Sequence, residues 1–142
     1  MGAKISILFV ISILASILPV CGGPLLAQWS LEDLVGGIAI GPGGEVYVTI
    51  NNSHKVVKYS PEGERLAEWD VDGVIETNGI AVGPGGEVYV TINNNHKVVK
   101  YSSEGEKLDE WAVDGMMNGI AAGPNGLIYI SFTNRMIQVF WA

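Results

Sequence analysis

The stretch from Gly79 to Trp111, GIAVGPGGEVYVTINNNHKVVKYSSEGEKLDEW, recurs from Gly37 to Trp69 with five differences in 33 positions. The differing pairs are Ile40/Val82, Ser53/Asn95, Pro61/Ser103, Arg65/Lys107 and Ala67/Asp109. The offset is 42 residues, and a looser third copy, GIAAGPNGLIYISFTNRMIQVF, begins at Gly119. Repeats of about 40 residues build either helical solenoids or propeller blades, and the pattern inside the repeat decides between them. Here every segment reads as strand. Gly37 to Ile40 is a short apolar run closed by Gly-Pro-Gly-Gly, where Pro42 presets φ and Gly43 is expected to supply the positive φ of a type II turn. Glu45 to Ile50 alternates, with Val46, Val48 and Ile50 on one face, and is rich in β-branched and aromatic residues. Asn51 and Asn52 break the run as residues that tolerate left-handed turn geometry. Lys55 to Tyr59 is a third strand, Ser60 to Gly63 another turn, and Arg65 to Trp69 a short, charged edge strand. Four antiparallel strands joined by tight turns make one blade, so the fold expected is an all-β propeller array of three repeats, at 37–69, 79–111 and 119–140.

Outward from the repeats, Leu26 to Trp29 (LAQW) matches the ends of the first two copies, LAEW and LDEW. It is a fourth strand standing before the first complete repeat, whereas the third copy stops after its third strand. Residues 25–29, and Leu26 and Trp29 above all, are therefore expected to complete a blade, which also removes a free sheet edge. Residues 24–142 form the repeat domain on this reading.

Residues 1–23 lie outside the pattern. Lys4 precedes the uncharged run Ile5 to Val20, and Gly22 and Gly23 follow, which is the layout of a secretory signal peptide. An uncleaved membrane-anchoring helix is the alternative, because the uncharged stretch continues to Ala27. Either way the repeats are expected outside the cytoplasm, secreted or held at the membrane by the N-terminal segment. Cys21 is the only cysteine, so no intramolecular disulfide forms; Val20 stands where a lipidation signal needs a small residue, and the thiol reads as an inert part of the leader. The net charge of −7 argues against nucleic acid as a partner, since such binding rests on a basic face.

The frame GIAVGPGGEVYVTINNNHKVVKYSSEGE resembles the NHL repeat, with a lesser similarity to surface-layer propellers of the Tyr-Val-Thr-Asn type. Asn95, His96, Lys97, Val98 and Tyr101 match the third-strand signature in the middle copy. His54, Lys55, Val56 and Tyr59 match it in the first, with Ser53 replacing the asparagine. Asn134, Ile137 and Phe140 match in the last, with Arg135 replacing the histidine. The resemblance implies a propeller but chooses no activity, because NHL-like propellers include binding modules, lyases and lactone hydrolases.

Candidate site residues are sparse. His54 and His96 occupy equivalent places at the start of the third strand, and Arg135 stands there in the last copy; they read as loop-bonding residues rather than metal ligands. Trp29, Trp69 and Trp111 read as packing between blades rather than as a sugar platform. Glu68, Asp70, Asp72, Asp109, Glu110 and Asp114 lack the spacing of a calcium loop and read as a solvated edge. Near the ends of the apolar inner strands, Glu76, Asn78 and Asn118 are the polar groups available to a central channel. No catalytic motif, cofactor or metal is expected. The function favoured is a non-catalytic binding or scaffold propeller for a protein or small ligand. The alternatives are half of a six-bladed lactonase- or lyase-type enzyme, or a truncated fragment of a longer repeat protein. Since propellers close with about four to eight blades, a homodimer of six blades is the expected assembly.

Overall fold

The computed structural model describes residues 6–8, 24–31, 33–51, 53–72 and 79–142. The chain divides into two compact units, Met1–Glu32 and Asp33–Ala142. In the first, β1 (Ser6–Leu8) pairs antiparallel with β2 (Gln28–Ser30), placing Ile7 opposite Trp29. Most of the expected signal or anchor helix lies outside the described residues, but Ser6–Leu8 within it is strand, its backbone taken up by the pairing with β2. No helix among the described residues is long and apolar enough to cross a membrane.

The second unit is all β. Its first sheet holds β3 (Val35–Ile40), β4 (Val46–Ile50), β5 (Lys55–Tyr59) and β6 (Arg65–Asp70) in that order. The second holds β7 (Ile80–Val82), β8 (Val88–Ile92), β9 (Lys97–Tyr101) and β10 (Lys107–Ala112). The third has three strands, β11 (Met117–Ala122), β12 (Leu127–Phe132) and β13 (Ile137–Trp141). Every pairing is antiparallel, so the repeats fold as blades.

The second blade shows how the array coheres. Val88, Val90 and Ile92 of β8, with Val99 and Tyr101 of β9, cluster with Tyr47, Val56 and Val71 of the first blade. The alternate residues Tyr89 and Val98 cluster with Met117, Ile128, Ile130 and Phe132 of the third. A middle strand is thus buried on both faces, and each fully buried Val or Ile contributes about 1.5–3 kcal/mol relative to an exposed one. The outer strands β6 and β10 alternate or lie exposed and carry the charges, as a protected edge requires.

The tight turns differ from expectation by one residue. Positive φ falls on Gly44 (86°), not Gly43, and equally on Gly63, Gly86, Gly105 and Gly126. Gly44 N–H donates to the Gly41 carbonyl at 3.0 Å while Gly41 N–H donates to that of Glu45 at 2.8 Å. This pattern is that of a type I turn followed by a left-handed residue, which matches the twist of the flanking strands. It recurs at Ser60, Gly83, Ser102 and Gly123, so one turn chemistry serves both the inner and the outer hairpins.

Candidate functional site

His54, His96 and Arg135 lie in the loops joining the second and third strands, and each has left-handed backbone, with φ of 51°, 47° and 70°. In the second copy the left-handed residue is the histidine, not the preceding asparagines, because Asn93–Asn95 form a turn of 3-10 helix that His96 caps. Histidine and asparagine tolerate this region better than branched residues do. The geometry turns both histidine carbonyls toward the outer strand: His54 accepts from Val71 N–H and His96 from Val113 N–H, both at 2.8 Å. The His96 ring Nδ1 lies 3.0 Å from the Gly115 carbonyl of its own blade's exit loop. Nδ1 of His54 is buried without a partner among the described residues; the equivalent glycine falls within 73–78, outside them.

The same end of the blades holds Asn118, exposed at a bulge in β11 where the register shifts between Met117 and Gly119. Glu76 and Asn78 lie outside the described residues. Next to Asn118, sequence reasoning missed Asn93, a turn breaker by composition. Its side chain is 2% exposed; Nδ2 donates to the Met117 carbonyl at 3.0 Å and Oδ1 accepts from Met117 N–H at 3.1 Å. An amide carries a donor and an acceptor side by side, so it replaces a missing rung between neighbouring blades. The doubled asparagine at both 51–52 and 93–94 was the available signal.

Four residues of the acidic edge, Glu68, Asp70, Asp72 and Glu110, are paired locally. Glu68 faces Lys55 at 3.8 Å and Arg65, Asp72 faces Lys107 of the next blade at 3.5 Å, and Glu110 takes both Lys97 and Lys107 at 2.9 Å. Bonds from Lys97 and Lys107 pull the Glu110 carboxyl down to about 2. Among the described residues no three His, Cys, Asp or Glu side chains gather as a metal group would require.

Between the first two blades Lys58 is almost buried, with Nζ 2.9 Å from Glu104 Oε1 and 5.7 Å from the centre of the Tyr47 ring. Burial pushes the Lys58 amine down, but Glu104 and the Tyr47 phenol oxygen outweigh it and hold the amine above its ordinary range. Lys100 repeats the geometry at 5.8 Å over Tyr89 with no carboxylate partner among the described residues. Burial, with Glu87 nearby, pushes the Tyr89 hydroxyl up to about 12.

The tryptophans pack between blades. Trp69 lies 6.4 Å from Tyr47 and 5.9 Å from Tyr101 of the next blade, and Trp111 lies 6.3 Å from Tyr89 and 6.0 Å from Phe140. On the third blade this seat is open. Tyr129, in the place of Tyr47 and Tyr89, is 39% exposed where they are 1% and 2%. Ile137, in the place of Val56 and Val98, is 70% exposed where both are 0%, and Val139 and Trp141 beside it are exposed at 51% and 84%. Of residues 25–29, expected to complete a blade, Gln28 and Trp29 lie in the strand Gln28–Ser30, which pairs with Ser6–Leu8, and the third sheet has three strands among the described residues.

No protein-family model matches the chain, and a search of curated proteins finds no match. Among solved structures, the Swd1 β-propeller domain of Myceliophteria thermophila superposes with a TM-score of 0.65 at 12% identity, over 82% of this chain and 40% of that one. BamB from Moraxella catarrhalis gives 0.64 at 16%, over 79% and 35%. Virginiamycin B lyase from Staphylococcus aureus gives 0.57 at 18%, over 80% and 45%. The chain thus spans less than half the length of each. Such likenesses reach fold and no further: the second unit is three blades of a β-propeller.

Proposed function

We propose that this chain is a non-catalytic binding or scaffold propeller of NHL type, working outside the cytoplasm and completed to six blades by a second copy. The observation that carries this is the uncovered flank of the third blade, where Tyr129 and Ile137 present to solvent positions that are buried at both internal blade junctions, with Val139 and Trp141 exposed beside them. Apolar area left in water costs about 25 cal/mol per Å² relative to burial, so the flank favours a protein surface over solvent. The polar repeat residues support the same reading, because they serve the frame: His96 holds Gly115, Asn93 holds Met117, and Glu104 holds Lys58.

The enzyme alternative requires polar groups converging on the inner strands, and Asn118 is what β7 and β11 offer among the described residues. Light scattering on the purified chain, paired with metal analysis of the same sample, tests the proposal. A mass of two chains without stoichiometric metal supports it. Stoichiometric Ca²⁺ or Zn²⁺ favours the enzyme, and a stable, well-folded monomer removes the six-bladed ring. Placement outside the cytoplasm, through the apolar residues 5–20, is checked by fractionating cells that express the chain with and without residues 1–23; retention of the full chain in the cytoplasm would refute the placement, and export of the shortened chain would refute the role of residues 5–20.

A further inference from the structure

We propose that Leu26–Ser30 of one chain adds to β13 of a second copy as the missing fourth strand, seating Trp29 over the partner's Tyr129. The inference rests on the two-copy ring and names the segment that closes it.

The spacing of the chain points there. Trp111 on the outer strand β10 stands six residues before Met117, the first residue of β11 in the next blade; Trp29 stands six residues before Val35, the first residue of β3. Val35 and Met117 are equivalent, since each begins a strand with a register shift in its first four residues, and each follows a residue whose carbonyl accepts a bond, Leu34 from Asn51 N–H and Met116 from Thr133 N–H. Trp29 is therefore placed as Trp111 is, on the outer strand of the blade before. In the two-copy ring proposed above, the blade before the first is the third blade of the other chain.

The receiving edge is built for it. In the first two blades the outer-strand Trp lies opposite Val56 or Val98; the same register sets Trp29 opposite Ile137, the most exposed residue of β13 after Trp141. Two residues beyond each Trp, the N–H groups of Val71 and Val113 donate to the left-handed His54 and His96. Leu31 stands two beyond Trp29, and Arg135 holds the same left-handed backbone, with no such donor among the described residues. The docked strand must leave β1. It exchanges a three-residue pairing with Ser6–Leu8 for a longer edge with a matched aromatic seat, the usual logic of strand addition.

A disulfide reads this register directly. Lys58 faces Ala67 and Lys100 faces Asp109, so Ala27 should face Val139 of the partner. In the full chain carrying Cys21→Ser, Ala27→Cys and Val139→Cys, mild oxidation should give a covalent dimer as the main species on a non-reducing gel. A band at monomer mass with its thiols consumed overturns the proposal, because the strand then closes within its own chain. Free thiols in a sample that light scattering shows to be dimeric also overturn it while leaving the two-copy ring intact; a monomer by light scattering removes both. Trp29→Asp gives a second readout without engineered cysteines. It should weaken dimerisation at least about thirtyfold, as loss of a seated Trp does, with the blades' far-ultraviolet spectrum unchanged. Unaltered dimerisation would refute the strand assignment.

Discussion

Lys58 and Glu104 divide one interaction unequally, and the inequality sets what mutations do. Lys58 is 7% exposed while Glu104 remains mostly in water. Glu104→Ala leaves a buried ammonium with the Tyr47 ring as its remaining partner, and the expected loss is about 1–3 kcal/mol in urea unfolding. Lys58→Met leaves behind an exposed carboxylate that water satisfies, so the change should stay within about 1 kcal/mol or stabilise. The pH dependence follows the sign of each shift. Hydrogen bonding and the charge of Lys58 hold Glu104 below its ordinary value of 4.5, so its contribution is present above that value and is lost as pH falls through the lowered one. The Lys58 amine is held above 10.5, so its contribution persists below 10.5 and fades as pH rises through the raised value. Glu110 behaves as Glu104 does, its share draining between pH 4.5 and about 2. Glu104→Ala should therefore flatten the loss of stability on acidification below pH 4.5, and an unchanged acid limb would contradict the pairing.

At the level of elements, the outer strands are the joints of the array. Trp111 bridges Tyr89 and Phe140, so Trp111→Ala should cost about 3–5 kcal/mol and Trp111→Phe distinctly less, measured by chemical denaturation with the spectroscopic signal of the remaining tryptophans. The strands themselves were legible in the sequence because the repeat states each one twice: Lys55–Tyr59 and Lys97–Tyr101 were bounded to the residue. The packing role of Trp69 and Trp111 was legible too, since a large apolar side chain recurring in register has a recurring neighbour. Turn detail was not. Gly-Pro-Gly-Gly offers two glycines for one positive φ, and only the backbone pairing of Gly41 with Glu45 selects Gly44. Asn93 was hidden for a different reason: its partner Met117 belongs to the next blade, and one copy of a repeat does not reveal what the next copy presents. The pairing of Trp29 with Ile7 was equally out of reach, because the matching LAQW motif speaks for a blade edge and residues 6–8 carry no motif at all.

For the molecule as a whole, each blade in the array depends on its neighbours, as in other repeat proteins whose stability is a sum of units and junctions. Val88 and Val90 are fully buried only because the first blade lies against them, and Ile128 and Ile130 only because the second does. A third junction formed between copies would couple folding to association, and the coupling has a thermodynamic signature that needs no mutation. If two chains unfold together, mass action raises the melting temperature with protein concentration. With about 220 residues of paired blades at roughly 0.7 kcal/mol of unfolding enthalpy per residue, the total is about 150 kcal/mol. A tenfold rise in concentration should then lift the melting temperature by about 3 °C near 60 °C. Calorimetry of the full chain across two decades of concentration reads this slope. Because Trp29→Asp removes the aromatic anchor of the exchanged strand, the variant should melt lower and lose the slope in the range where the native chain shows it. A melting temperature independent of concentration in the native chain, with reversible and complete unfolding, would show that three blades fold without a second copy.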